Sequence, residues 1–128
     1  EAIMLNADGH VAEGSGENIF ILARGKLVTP GSADNILVGI TRETIIRLAK
    51  EELGIETVER QIDRSELYIA DECFLTGTAA HLTPVAEVDH RKVGTGQIGP
   101  VTKRLQELYF QVVRGRNEKY KDWLTFVA

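Results

Sequence analysis

The chain has 128 residues, 43% of them hydrophobic and 27% charged, with a formal net charge of −4 and one cysteine. That is one domain's worth of chain with enough apolar residues for a core. It excludes the basic surplus of a nucleic-acid or anionic-lipid binder, an internal disulfide or thiolate metal cluster, and a membrane helix of ~20 apolar residues. The chain is expected to work in the cytosol.

The first third reads as strands. "AIMLN" leads through Ala7-Asp8-Gly9 into "HVAE", a hairpin whose Asp-Gly supplies the positive φ of a tight turn. The chain opens on Glu1, directly ahead of that strand, which suggests the C-terminal part of a longer protein. Residues 13–18, "EGSGEN", place two carboxylates and two glycines in one turn. "NIFILA", Arg24-Gly25-Lys26 and "LVT" form a second hairpin, ended by Pro30-Gly31, and "GSADNILVG" is loop.

A helix is predicted next, with Thr41 as N-cap, Glu43 at the positive end of its dipole, and Gly54 as its stop. Ile45, Leu48, Ala49 and Leu53 share one face. "IETVERQI" alternates like a strand, and Ser65 caps a short helix ending near Ala70. "ECFLTG" is a buried strand that makes Cys73 an inert thiol. "LTPVAEVD" is another strand, and its Pro84 suits an edge or bulge. Arg91-Lys92 marks a turn. The last helix starts after Gly99-Pro100, carries the apolar stripe Val101, Leu105, Leu108, Tyr109, Val112 and Val113, and closes at Arg114-Gly115. The tail "KYKDWLTFVA" is expected to dock Trp123 and Phe126. Strands followed by alternating helix and strand predict a single α/β domain over residues 1–128 with a mixed sheet.

Two loops suit an anion. "GITRET", residues 39–44, opens a helix, where unpaired amides and the dipole favour negative charge. "TGTAA", residues 76–80, ends a strand with a glycine and hydroxyls. Neither has the glycine spacing or lysine of a nucleotide-binding fingerprint. His10, His81 and His90 show no metal spacing, and Ser15, Ser32 and Ser65 lack a nucleophile elbow. Taken alone, these residues also fit a non-catalytic ligand-binding module.

In series, "EGSGENIF", "GITRETIIRLAKEELGIE", "ADECFLTGTAAHLTPV" and "GPVTKRLQELYF" resemble the branched-chain amino acid aminotransferases, fold-type IV enzymes that use pyridoxal 5′-phosphate. The resemblance covers nearly the whole chain. It implies the larger, C-terminal domain of that family's subunit, with a mixed sheet or pseudo-barrel flanked by helices.

It further implies that Glu13 faces the pyridine nitrogen and that Leu37 packs on the ring. Gly39, Ile40, Thr41, Gly77 and Thr78 would hold the phosphate. Gly16, Thr78 and Ala79 would border the substrate. The partners implied are a branched-chain amino acid, 2-oxoglutarate and a second copy of the subunit, with no nucleic acid, metal or membrane. D-amino-acid transaminase and aminodeoxychorismate lyase share the glutamate and the phosphate turns. The family's Schiff-base lysine lies upstream of the "EGSGEN" segment. None of Lys26, Lys50, Lys92, Lys103, Lys119 and Lys121 occupies its position, so this chain alone is expected to be inactive.

Overall fold

A computed structural model describes residues 1–127; Ala128, the end of the predicted tail, lies outside them. The first two strands, β1 (Ile3–Leu5) and β2 (Val11–Gly14), pair antiparallel around a turn in which Gly9 has φ +88°. β3 (Asn18–Ala23) and β4 (Lys26–Thr29) form the second hairpin. Arg24 and Gly25 both take positive φ, at 52° and 75°, the twist that a two-residue hairpin turn favours.

Helix α1 (Ile40–Leu53) then carries the chain to β5 (Thr57–Glu59), which lies parallel to β4. A one-turn helix, α2 (Glu66–Ile69), leads into β6 (Glu72–Gly77) and β7 (His81–Pro84). The small pair β8 (Glu87–Val88) and β9 (Arg91–Lys92) precedes α3 (Pro100–Val113). Short 3₁₀ segments cover Ser32–Asp34 and Glu118–Trp123.

The main sheet has the order β5-β4-β3-β6-β7, with every neighbour antiparallel except β4 and β5. It is mixed, as expected, and among the described residues it stays open rather than closing into a barrel. β7 is its edge, which accommodates Pro84.

Strand alternation sorts the core into two layers. Phe20, Leu22, Leu27, Phe74 and Leu82 face α1 and α3, where they meet Ile45, Leu48, Leu105, Leu108 and Val112. Phe20 and Phe74 stack across the strands at 5.0 Å. Ile19, Ile21, Val28, Cys73 and Leu75 face the other way, against Val11, Ile62, Leu67 and Val88. Burial pushes the Cys73 thiol up to about 12, which makes it inert at neutral pH.

Several local expectations change. Gly39, not Thr41, caps α1, and Thr41 lies buried within the first turn. Of "IETVERQI", Thr57–Glu59 pair with β4, and the Ile62 carbonyl accepts from the Val11 amide of β2 at 2.9 Å. Ser65 precedes α2 without a side-chain cap bond; instead the Glu66 carboxylate accepts from the Asp63 amide at 2.9 Å. Arg91-Lys92 is strand, and the turn falls on Asp89 and His90, both at positive φ. Trp123 packs on the core beside Tyr120, but Phe126 is 70% exposed and Val113 also faces solvent.

The β1–β2 hairpin is tied to the chain before α2 by His10. Its Nδ1 lies 3.0 Å from Asp8 and its Nε2 3.2 Å from Asp63. The Nδ1 contact is an ion pair without hydrogen-bond alignment. A carboxylate at each ring nitrogen favours the imidazolium, and Asp8 above all raises the His10 pKa above its ordinary 6.5. The stabilisation is full below the unfolded value and fades as pH rises through the raised folded one. Denaturation midpoints measured from pH 5 to 9 should show this loss on the alkaline side of 6.5, and His10→Gln should flatten it.

Candidate functional site

The two anion-suited loops and "EGSGEN" converge. The β2–β3 turn, the loop before α1 and the end of β6 enclose a hollow of about 180 Å³. Glu13, Gly16, Leu37, Gly39, Ile40, Thr41, Gly77 and Thr78 all line it. Ala79 does not; it stands exposed in the turn beyond Thr78. His81 is also exposed, tilted against Phe110 at 5.5 Å. No lysine lines the hollow. Lys26 and Lys119 pair with Glu56 and Glu52 on the surface, at 3.0 and 2.8 Å. Among the described residues no three His, Cys, Asp or Glu side chains are grouped to hold a metal ion.

One wall is acidic and one is a helix end. Glu13 is half-buried, and its Oε2 accepts from the Leu37 amide at 3.0 Å and from Asn18 Nδ2 at 3.3 Å. Glu17 turns back on its own loop, where its Oε2 accepts from the Gly16 amide at 3.2 Å. Opposite lies the start of α1. The first amide there with a backbone partner is that of Glu43, which donates to the Gly39 carbonyl at 3.1 Å. The amides of Ile40, Thr41 and Arg42 have no partner among the described residues, as a helix start requires.

The close approach of these walls depends on glycine. A Cβ on Gly39 would fall 2.5 Å from Asn18 Oδ1, and one on Gly77 would fall 3.2 Å from the Gly16 carbonyl oxygen. The floor carries Thr76, whose buried hydroxyl has no hydrogen-bond partner. A buried polar group left in that state is costly unless something else completes it.

The second long helix shows what completes such a cradle. α3 also begins after a glycine pressed on the sheet: a Cβ on Gly99 would fall 2.1 Å from Glu72 Cδ. There the buried Glu72 carboxylate accepts from the Val101 amide at 3.1 Å, the Thr102 amide at 2.7 Å and the Thr102 hydroxyl at 2.6 Å. An internal anion thus fills the α3 end, whereas Asn18 and Thr76 occupy the corresponding sheet positions under α1 and bring no charge.

Arg42 does not supply the anion site with a cation. Its buried guanidinium points behind the helix, to the Pro30 carbonyl at 3.1 Å, to Glu43 and to Glu59. This fixes the first turn of α1 to β4 and β5.

A larger hollow of about 610 Å³ lies on the opposite side of the sheet, between β1, α2 and β8. It contains none of the candidate residues and no unpartnered helix start, so the smaller one is the candidate site.

Thr76 stands in the sequence reading only as a hydroxyl of the "TGTAA" loop, and no role is read there for Asn18, Arg42 or Glu72. A signal existed for two of them. Period-2 alternation puts Asn18 with Phe20, and Thr76 with Phe74, on the helix-facing side, where a polar residue demands a reason.

The fold is that of the fold-type IV aminotransferases. Residues 1–88 match the family described as amino-transferase class IV, and the chain belongs to it. It is 62% identical over 98% of its length to a probable branched-chain-amino-acid aminotransferase of Aquifex aeolicus. It is 54% identical over 99% of its length to a branched-chain-amino-acid aminotransferase of Pseudomonas aeruginosa. The crystal structure of the Thermobaculum terrenum branched-chain amino acid aminotransferase in its PLP form is 48% identical, with a TM-score of 0.94, over 97% of this chain and 40% of that one. The chain spans about 40% of the length of these relatives.

The Glu72 cap is expected to be a strong contributor to stability. Glu72→Ala leaves the Thr102 hydroxyl and two α3 amides without their acceptor, at a cost of about 2–3 kcal/mol. Urea denaturation should show this as a lower midpoint at unchanged slope.

Proposed function

We propose that the protein to which this chain belongs transfers the amino group of a branched-chain L-amino acid to 2-oxoglutarate, and that the 180 Å³ hollow seats part of its pyridoxal 5′-phosphate. The observation that carries this reading is the contrast between the two helix starts. Glu72 fills the one under α3, while the one under α1 offers unpartnered amides, the Thr41 hydroxyl and the orphaned Thr76 hydroxyl to an anion from outside.

The residues present fit the cofactor. Gly39, Ile40 and Thr41 would take the phosphate at the helix start, and Gly77 and Thr78 would close the cup from β6. Leu37, 78% exposed beside the helix start, offers an apolar side chain to a ring face. Glu13 offers a carboxylate to the ring nitrogen, and its charge favours a proton held there. When bound, the cofactor supplies an electron sink for the carbon that loses its proton. Gly16 and the backbone of Thr78 and Ala79 border the space left for a substrate carboxylate. No lysine reaches the hollow, so the covalent and proton-transferring group comes from outside this chain, which is inactive alone.

The whole protein is further read as a cytoplasmic homodimer. Val38 and Ile40 are 52 and 87% exposed beside the hollow, and a second copy would cover such apolar surface.

Assaying the full-length protein with L-leucine, D-alanine and aminodeoxychorismate tests the reaction. Turnover of L-leucine is expected, and activity confined to D-alanine would overturn the assignment. The seat itself is tested by two glycines. Gly39→Ala should weaken binding of pyridoxamine 5′-phosphate to the full-length protein by about tenfold or more, because the new methyl displaces Asn18. Gly31→Ala, outside the hollow and where a Cβ meets nothing within 4 Å, should leave the dissociation constant within about twofold.

A further inference from the structure

Asn18 lies where three walls of the hollow meet. It is the first residue of β3, 5% exposed, and directly across the sheet from Thr76. The two hydrogens of its amide are divided between two acceptors: the Leu37 carbonyl at 2.7 Å and Glu13 Oε2 at 3.3 Å. Its carbonyl oxygen packs on Gly39, so closely that no Cβ would fit. The Leu37 amide donates to the same Glu13 oxygen at 3.0 Å. Asn18, Glu13 and Leu37 therefore close a small ring of hydrogen bonds, and both donors fall on Oε2. Glu13 Oε1 accepts nothing from the described residues.

We propose that Asn18 is a positioning residue that acts through Glu13, fixing the carboxylate by one oxygen so that the other alone faces the ring nitrogen of the bound cofactor. The inference rests on the cofactor reading given above. A carboxylate on a flexible side chain rotates freely. Two donors on one oxygen remove that rotation before any ligand arrives, which is where pre-organisation contributes to binding. The residue type follows from the partners. Aspartate has the same shape but would set a second carboxylate against Glu13 and an acceptor against the Leu37 carbonyl. An apolar residue would leave that carbonyl and Glu13 Oε2 short of a donor.

A double-mutant cycle in the full-length protein tests this, with equilibrium dialysis of pyridoxamine 5′-phosphate, which has no aldehyde for a lysine to capture. Asn18→Ala is expected to weaken binding about tenfold in the wild-type background, and less than about twofold once Glu13→Gln is present. An equal loss in both backgrounds, or no loss in either, overturns the role assigned to Asn18 while leaving the seat intact. Should Asn18→Ala not fold, the isosteric Asn18→Asp serves the same cycle. It is expected to weaken binding more than tenfold against Glu13 and to recover most of that loss against Glu13→Gln, whose amide can donate to the new carboxylate. An equal loss in both backgrounds again overturns the proposal. Wild-type protein that binds pyridoxamine 5′-phosphate no better than inorganic phosphate overturns the cofactor reading, and this inference with it.

Discussion

The antiparallel register of β3 on β6 is the constraint from which the rest of the architecture follows. It sets Asn18 opposite Thr76 at one end and Leu22 opposite Glu72 at the other. Period-2 alternation turns Asn18, Thr76 and Glu72 to the helix-facing side. Phe20 and Phe74, stacked between them, form the floor on which α1 and α3 pack. Each helix then begins over one end of the same two strands, through a glycine close enough to touch them. A shift of one residue would reverse every one of these side chains.

From that arrangement the electrostatics divide. Every helix start carries partial positive charge and unpaired amides. Under α3 the strand supplies Glu72 and the charge is neutralised within the fold. Under α1 the strands supply an amide and a hydroxyl, and Arg42, the nearest buried cation, is turned behind the helix and neutralised by Glu43 and Glu59. The positive end is left facing the hollow, with Glu13 across from it. A ligand with an anionic end and a basic nitrogen matches both walls.

Much of this was legible in the sequence because its signals are local. Asp8-Gly9 and Arg24-Gly25 dictate their turns by backbone sterics alone, and Gly54, at φ 63°, stops α1 for the same reason. The motif residues, apart from Ala79, line a single hollow. What sequence reasoning missed depends on distant partners. Thr41 reads as a cap until the sheet shows that Gly39 is the residue forced against Asn18. "IETVERQI" alternates throughout, yet only Thr57–Glu59 joins the main sheet, while Ile62 bonds to β2 instead. Phe126 looks like a core residue, but the apolar cluster is already closed by Tyr120 and Trp123. Glu72 and Asn18 stand on strands read as apolar, but their polar partners, the first amides of α3 and the Leu37 carbonyl, lie far along the chain.

Cys73 gives the second layer of the core a chemical reporter. It sits opposite Ile21 in the β3–β6 pairing, 2% exposed, with a thiol held far from ionisation, and it packs with Val11, Ile62, Leu67 and Val88 on the sheet face turned away from α1 and α3. Thiol reagents require the thiolate and access to it, so they reach Cys73 only in molecules where that covering layer has opened. The rate of alkylation at this one sulfur therefore counts those openings, with no label added to the protein.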